Sequence, residues 1–118
     1  KYLDCIEADN AALECARLNC ADNRIAFHWG DATTWKSEQK LDVVVMNPPF
    51  HSVRSADPEI GKGFISAAAR TLRRGGQLWM VANRQLPYES RLKEHFVDFK
   101  EIAGDSRFKV LNAKGPIT

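Results

Sequence analysis

The stretch Leu41-Asp42-Val43-Val44-Val45-Met46-Asn47-Pro48-Pro49-Phe50 decides the fold. Its apolar, largely β-branched run does not alternate with polar positions, which suits a strand buried on both faces of a parallel sheet. Pro48 and Pro49 end the strand, because neither can donate to a ladder and both fix φ. In open parallel sheets, ligands bind just beyond the carboxyl ends of the strands. Asn47 to Phe50 therefore stand where chemistry is expected. Their types suit one task, holding a planar base by its exocyclic amine. Asn47 offers a carbonyl oxygen, the Pro48 carbonyl is a second acceptor on a stiff backbone, and Phe50 offers a flat apolar face. Two acceptors around an –NH2 group engage both N–H bonds and leave the nitrogen lone pair free for attack. The same residues also make an ordinary strand-ending turn with Phe50 in the core, and four residues alone do not choose between the two.

Toward the amino end, Tyr2 to Ala8 reads as a short strand with Glu7 at its carboxyl end. Asp9 or Asn10 caps a helix that runs to about Ala21, with Leu13 and Ala16 on one face. Ile25 to Trp29 is a second strand, followed by Gly30-Asp31-Ala32 and a polar connection. Toward the carboxyl end comes a loop from His51 to Pro58, then an amphipathic helix from Glu59 to Arg74. Ile60, Phe64, Ala67, Ala68 and Leu72 mark its apolar stripe, and Gly75-Gly76 caps it. Gln77 to Ala82 is a strand ending at Asn83, and Leu86-Pro87-Tyr88 turns into a short helix from Glu89 to Phe96. Strands near Phe99–Ala103 and Phe108–Ala113 are joined at Gly104-Asp105-Ser106, a hairpin turn. This alternation predicts an α/β fold with a mostly parallel sheet and an antiparallel carboxyl-terminal hairpin.

The chain has 118 residues, enough for one domain with a modest core, and its 44% apolar and 27% charged content is ordinary for a soluble globular domain. No apolar run approaches the roughly 18 residues of a membrane span. The net charge of +2 is unevenly spread: residues 1–50 carry 5 Lys/Arg against 8 Asp/Glu, and residues 51–118 carry 12 against 7. An acidic first half suits a cationic cofactor and a basic second half suits a polyanion, although solvated helix faces produce the same split. Cys5, Cys15 and Cys20 form no Cys-x-x-Cys pair, and His28, His51 and His95 are far apart, so neither a disulfide framework nor a metal site is expected. Buried, reduced thiols in a cytoplasmic protein are the expectation. The three tryptophans, Trp29, Trp35 and Trp79, are expected in the core or at an interface rather than as base-stacking platforms.

Three strand ends line up: Glu7, Gly30-Asp31-Ala32 and Asn47-Pro48-Pro49-Phe50. Together they resemble the class I S-adenosylmethionine-dependent methyltransferases, whose Rossmann-like sheet also closes with an antiparallel strand. Asn47-Pro48-Pro49-Phe50-His51, Val81-Ala82-Asn83-Arg84-Gln85-Leu86-Pro87-Tyr88 and Arg107-Phe108-Lys109-Val110 resemble, more closely, the small-domain ribosomal RNA guanine-N2 methyltransferases. The likeness covers nearly all of the chain. It implies S-adenosyl-L-methionine as cofactor and ribosomal RNA or a ribosomal subunit as partner, with no membrane and no metal. It implies that Glu7 takes the cofactor's ribose hydroxyls, that Asp31 accepts from the adenine amine, and that Ala32 adds a backbone N–H. Asn47 and Pro48 would hold the target amine, with Asn47 also bordering the cofactor, and Phe50 would stack on the base. Pro49, His51 and Arg54 fall on the substrate side, and the role of His51, substrate contact or loop cap, stays open. Arg54, Lys62 and Arg84 are candidate phosphate contacts, set against the commoner role of a solvated charge.

One departure from the family pattern is plain. No Gly-x-Gly segment precedes Glu7, and the chain opens at what would be the family's second strand. The expectation is a partial methyltransferase domain over residues 1–118, lacking the first strand and glycine-rich loop. Such a chain would bind cofactor weakly or not at all, and its open sheet edge invites self-association. Within enzymes, the Asn-Pro-Pro-Phe turn fits equally well with methylation of adenine N6 or of a glutamine in a translation factor. A non-catalytic, RNA-binding relative of the fold is the alternative outside enzymes.

Overall fold

A computed structural model describes residues 2–49 and 58–117. Its contacts fall into two compact units, residues 1–36 and 37–118.

The first unit holds β1 (Leu3–Glu7), α1 (Asn10–Asn19) and β2 (Ile25–Trp29). β1 and β2 pair in parallel, from Leu3 opposite Ile25 to Glu7 opposite Trp29. The helix starts where its cap requires. Asp9 is extended (φ −88°, ψ 112°), and its Oδ1 accepts from the backbone N–H of Ala11 at 2.9 Å and of Ala12 at 3.4 Å. α1 buries Leu13 fully. Three residues after it, at Asp22, the Arg24 guanidinium closes the turn and holds the carboxyl below its ordinary value.

The second unit holds β3 (Leu41–Met46), α2 (Pro58–Thr71), β4 (Leu72–Asn83), α3 (Glu89–His95), β5 (Phe96–Gly104) and β6 (Phe108–Pro116). The strand order is β3-β4-β6-β5, with β3 parallel to β4 and β6 antiparallel to both its neighbours. The α/β class, the element order and the closing hairpin are as the sequence predicts. One face of this sheet carries Leu78, Met80, Ala82, Leu111 and Ala113, which pack with Ile65, Ala68 and Ala69 of α2 and Leu92 of α3 into one core.

Four local expectations are corrected. β3 is not buried on both faces: Leu41, Val44 and Met46 pack against the core, whereas Val43 and Val45 are exposed, beside exposed Trp79 and Val81 on β4. α2 stops at Thr71 rather than Arg74, because Leu72 is drawn into the sheet opposite Leu41 and is buried there. Gly75-Gly76 is consequently no helix cap but an irregularity inside β4. Gly75 takes φ +77°, and a side chain on Gly76 would meet the Asp42 carbonyl at 3.2 Å. The helix buries Ile65 where the sequence pointed to Ile60 and Phe64, which are only half-buried. Finally, the thiols are not buried: Cys5 is half-buried, and Cys15 and Cys20 are exposed.

Candidate active site

In the first unit, the carboxyl ends of β1 and β2 bring two acids together. The Gly30 N–H donates to the Glu7 carbonyl at 3.0 Å, so the ladder runs one step past the strands and sets the loop holding Asp31 beside Glu7. Glu7 Oε2 accepts from the Ala8 N–H at 2.8 Å. Asp31 Oδ1 accepts from the Thr33 hydroxyl at 2.6 Å and from the Thr33 N–H at 2.8 Å. These bonds, the hydroxyl first, hold the Asp31 carboxyl below its ordinary value. Each acid therefore commits one oxygen to its own loop. Among the described residues, Glu7 Oε1 and Asp31 Oδ2 meet no donor. Gly30 stands in open space, with nothing within 4 Å of where a Cβ would be. Two carboxylates with free oxygens and an open glycine between them suit a ligand that presents hydroxyls and an amine. Ala32 is half-buried in the same loop.

Trp29, the last residue of β2, is not in the core. It is 68% exposed, and its Nε1–H donates to the Ala8 carbonyl at 3.0 Å. Trp35 is half-buried against the His28 ring, with centroids 5.2 Å apart.

In the second unit, Asn47, Pro48 and Pro49 follow β3 directly. Pro48 is buried, and Asn47 and Pro49 are exposed. The Asn47 amide makes no hydrogen bond among the described residues, so its oxygen is available as an acceptor. Phe50, His51 and Arg54 lie outside the described residues.

The loop after β4 is held from both sides. Lys109 of β6 is buried, and its Nζ donates to the Leu86 carbonyl at 2.7 Å and to Glu89 Oε2 and Oε1 at 2.8 and 3.0 Å. All three of its donors are used. Arg84 meets both oxygens of Glu101 at 3.1 Å and the Asp105 carbonyl, which locks the loop to the β5–β6 hairpin. Glu101 first, and nearby acids after it, raise the Arg84 guanidinium further above its usual range. Arg84 is thus a clamp rather than a free phosphate contact or a solvated charge. Lys62 likewise turns to Glu59 at 3.4 Å.

Lys109 was missed as a positioning residue, though a signal existed. Leu111 and Ala113 mark the inward face of β6, and Lys109 is in phase with both. A lysine in phase with a buried face needs a partner. Among the described residues, no three His, Cys, Asp or Glu side chains gather as a metal site. None of the helices is long and apolar enough to cross a membrane.

Comparison with known proteins places the chain in a family. Residues 1–112 match the family model of the methyltransferase small domain. The chain is 37% identical over 106 residues to ribosomal RNA large subunit methyltransferase G of Streptomyces coelicolor, covering 86% of this chain and 28% of the relative. It is 39% identical over 108 residues to ribosomal RNA small subunit methyltransferase C of Alteromonas mediterranea, covering 86% and 29%. A T. thermophilus 16S rRNA N2 methyltransferase, solved in complex with AdoMet and guanosine, superposes with a TM-score of 0.77 at 28% identity, covering 97% of this chain and 31% of that one. The N-methyltransferase NodS of Bradyrhizobium japonicum, at 15% identity and a TM-score of 0.75, shares the fold. The chain spans under a third of the length of the two ribosomal RNA methyltransferase relatives, 28% and 29%.

Proposed function

Because the chain belongs to the methyltransferase small domain family, we propose that the protein carrying it methylates the exocyclic N2 amine of a guanine in ribosomal RNA. S-adenosylmethionine is the proposed cofactor, and an rRNA substrate implies work in the cytoplasm. The observation that carries this reading is the exposed, unengaged Asn47 amide one step beyond β3, followed by the buried Pro48.

When bound, S-adenosylmethionine supplies a methyl group already activated on a sulfonium, so the protein's task is positioning and exclusion of water. Glu7 holds the ribose hydroxyls through Oε1, and Asp31 takes the adenine amine on Oδ2. The guanine amine is a poor nucleophile, because its lone pair is conjugated into the ring. Asn47 Oδ1 and the Pro48 carbonyl accept its two N–H bonds, which favours the positive charge that develops on nitrogen. Phe50 stacks on the base, presented unpaired or flipped out. Pro49 and Arg54 would contact the RNA around it, His51 would either join them or cap the loop, and Ala32 would contribute a backbone N–H to the cofactor.

The test is transfer of tritiated methyl by the full-length protein to ribosomal subunits, naked ribosomal RNA, DNA and a release factor, followed by nucleoside analysis. N2-methylguanine in ribosomal RNA is expected. Label in adenine, or in the protein substrate, would overturn the assignment.

A further inference from the structure

Trp29 combines features that packing alone does not explain. It is a large aromatic left 68% exposed, yet it is not loose, because the bond from Nε1–H to the Ala8 carbonyl pins the ring at 3.0 Å. That bond uses the side chain's single polar atom. The exposed remainder is an apolar π face with no donor to satisfy. Parallel partners in register point to the same side of a sheet, so Trp29 and Glu7 share a side. Phe27 is on that side too, two residues earlier, and Arg17 of α1 lies over its ring at 6.0 Å. Trp29 stands past that cover. Among the described residues no ring or cation faces it.

The indole spans a particular gap, starting from the last residue of β2 and reaching the turn after β1 at Ala8. A nucleoside with its diol on Glu7 and its amine on Asp31 crosses the same gap, from the end of β1 to the loop after β2. A flat base on that path lies against the flat indole. Resting on the proposed cofactor reading, we infer that Trp29 supplies the surface on which the adenine of the cofactor stacks, as a ligand-binding residue beside Glu7 and Asp31. Ribose hydroxyls, base amine and base face are then met by Glu7, Asp31 and Trp29 in turn, which favours an adenosyl group over a ligand lacking a planar base.

The experiment uses the full-length protein and S-adenosylhomocysteine as probe. Calorimetric titration of Trp29→Ala is expected to show roughly tenfold weaker binding, the size of a lost base–aromatic stack. Trp29→Phe keeps a ring but loses the bond to Ala8, and it is expected to stay within roughly threefold of wild type. With 5-fluorotryptophan incorporated, the resonance missing from Trp29→Phe identifies this residue in the fluorine spectrum, and saturation with the probe is expected to move it. Wild-type affinity in Trp29→Ala would overturn the inference. So would equal weakening by Ala and Phe, which would assign the effect to the Ala8 bond. A stationary Trp29 resonance in a protein that binds the probe would overturn it while leaving the cofactor reading intact. Failure of the wild-type protein to bind the probe would overturn both.

Discussion

Gly61 of α2 faces Tyr88 so closely that a Cβ at Gly61 would stand 2.1 Å from the phenolic oxygen and 2.4 Å from Cζ. Tyr88 is fully buried, so its ring has no easy retreat. Glycine inside a helix ordinarily costs about 1 kcal/mol relative to alanine, but overpacking a tight core costs about 1–3 kcal/mol. The second effect dominates here. Gly61→Ala is expected to lower stability by about 1–2 kcal/mol in urea titration. In a Tyr88→Ala background the same change is expected to be neutral or stabilising. A higher urea midpoint for Gly61→Ala alone would show that this contact does not constrain the helix.

Lys109 is a buried cation whose bonds to Leu86 and Glu89 end inside the loop after β4. Lys109→Met keeps the stem's volume and removes the donors. The Leu86 carbonyl is then left without its partner, whereas Glu89 is 43% exposed and can turn to water. The expected loss is about 1–3 kcal/mol, at the lower end of what breaking a buried pair costs. Hydrogen exchange at Gln85 and Leu86 should quicken well before global unfolding. Unchanged exchange there would mean that the loop is held by something else.

Acid should loosen the β5–β6 hairpin in a defined window. Backbone bonds from Phe108 and Arg107 hold the Asp105 carboxyl below its ordinary 3.8, and Arg84 holds Glu101 below its ordinary 4.5. Both groups bind protons less readily folded than unfolded. Their stabilisation is therefore complete above those ordinary values and is lost as pH falls toward the depressed folded ones. Urea midpoints measured from pH 6 to pH 2.5 should decline from about pH 4.5 downward. Asp105→Asn should flatten that decline, and an identical slope in the variant would remove Asp105 from the account.

Asn47→Ala separates chemistry from cofactor binding. In the full-length protein, loss of one of two acceptors on the reacting amine is expected to cut turnover by roughly 10²–10³. Affinity for S-adenosylhomocysteine should stay at the wild-type value. Turnover within experimental error of wild type would sink the role given to Asn47.

Much of this architecture was legible because the governing interactions are local. Asp9 caps α1 through bonds two and three residues away, and Asp105 sets its hairpin the same way. β2 begins and ends where its residues say it should, at Ile25 and Trp29. What was misread depends on partners distant in sequence. The end of α2 is decided by Leu41, which pairs with Leu72. Arg84 reads as a free cation until Glu101 comes round beside it. Trp29 reads as core because large aromatics usually are, and its exposure depends on where α1 stops covering β2. Within the site, Asn47 and Pro48 follow β3 as expected, and Glu7 and Asp31 each keep a free oxygen. Phe50, His51 and Arg54 are outside the described residues.

β6 is the latest strand in the chain, yet it lies inside its sheet, between β4 and β5. During synthesis β4 therefore emerges from the ribosome with its eventual neighbour still unmade. The 33 residues separating Asn83 from Pro116 take roughly 2–7 s to translate at ordinary synthesis rates. For that interval Leu78, Met80 and Ala82 stand on an open strand edge, where chaperones or a second nascent chain can reach them. An arrest-peptide force profile should register no folding of this unit until residues 108–116 clear the exit tunnel. A force peak while those residues are still inside would show that the sheet assembles without its central strand. Otherwise Lys109 arrives with the strand that completes the sheet, and the loop it anchors takes shape only as translation of this region ends.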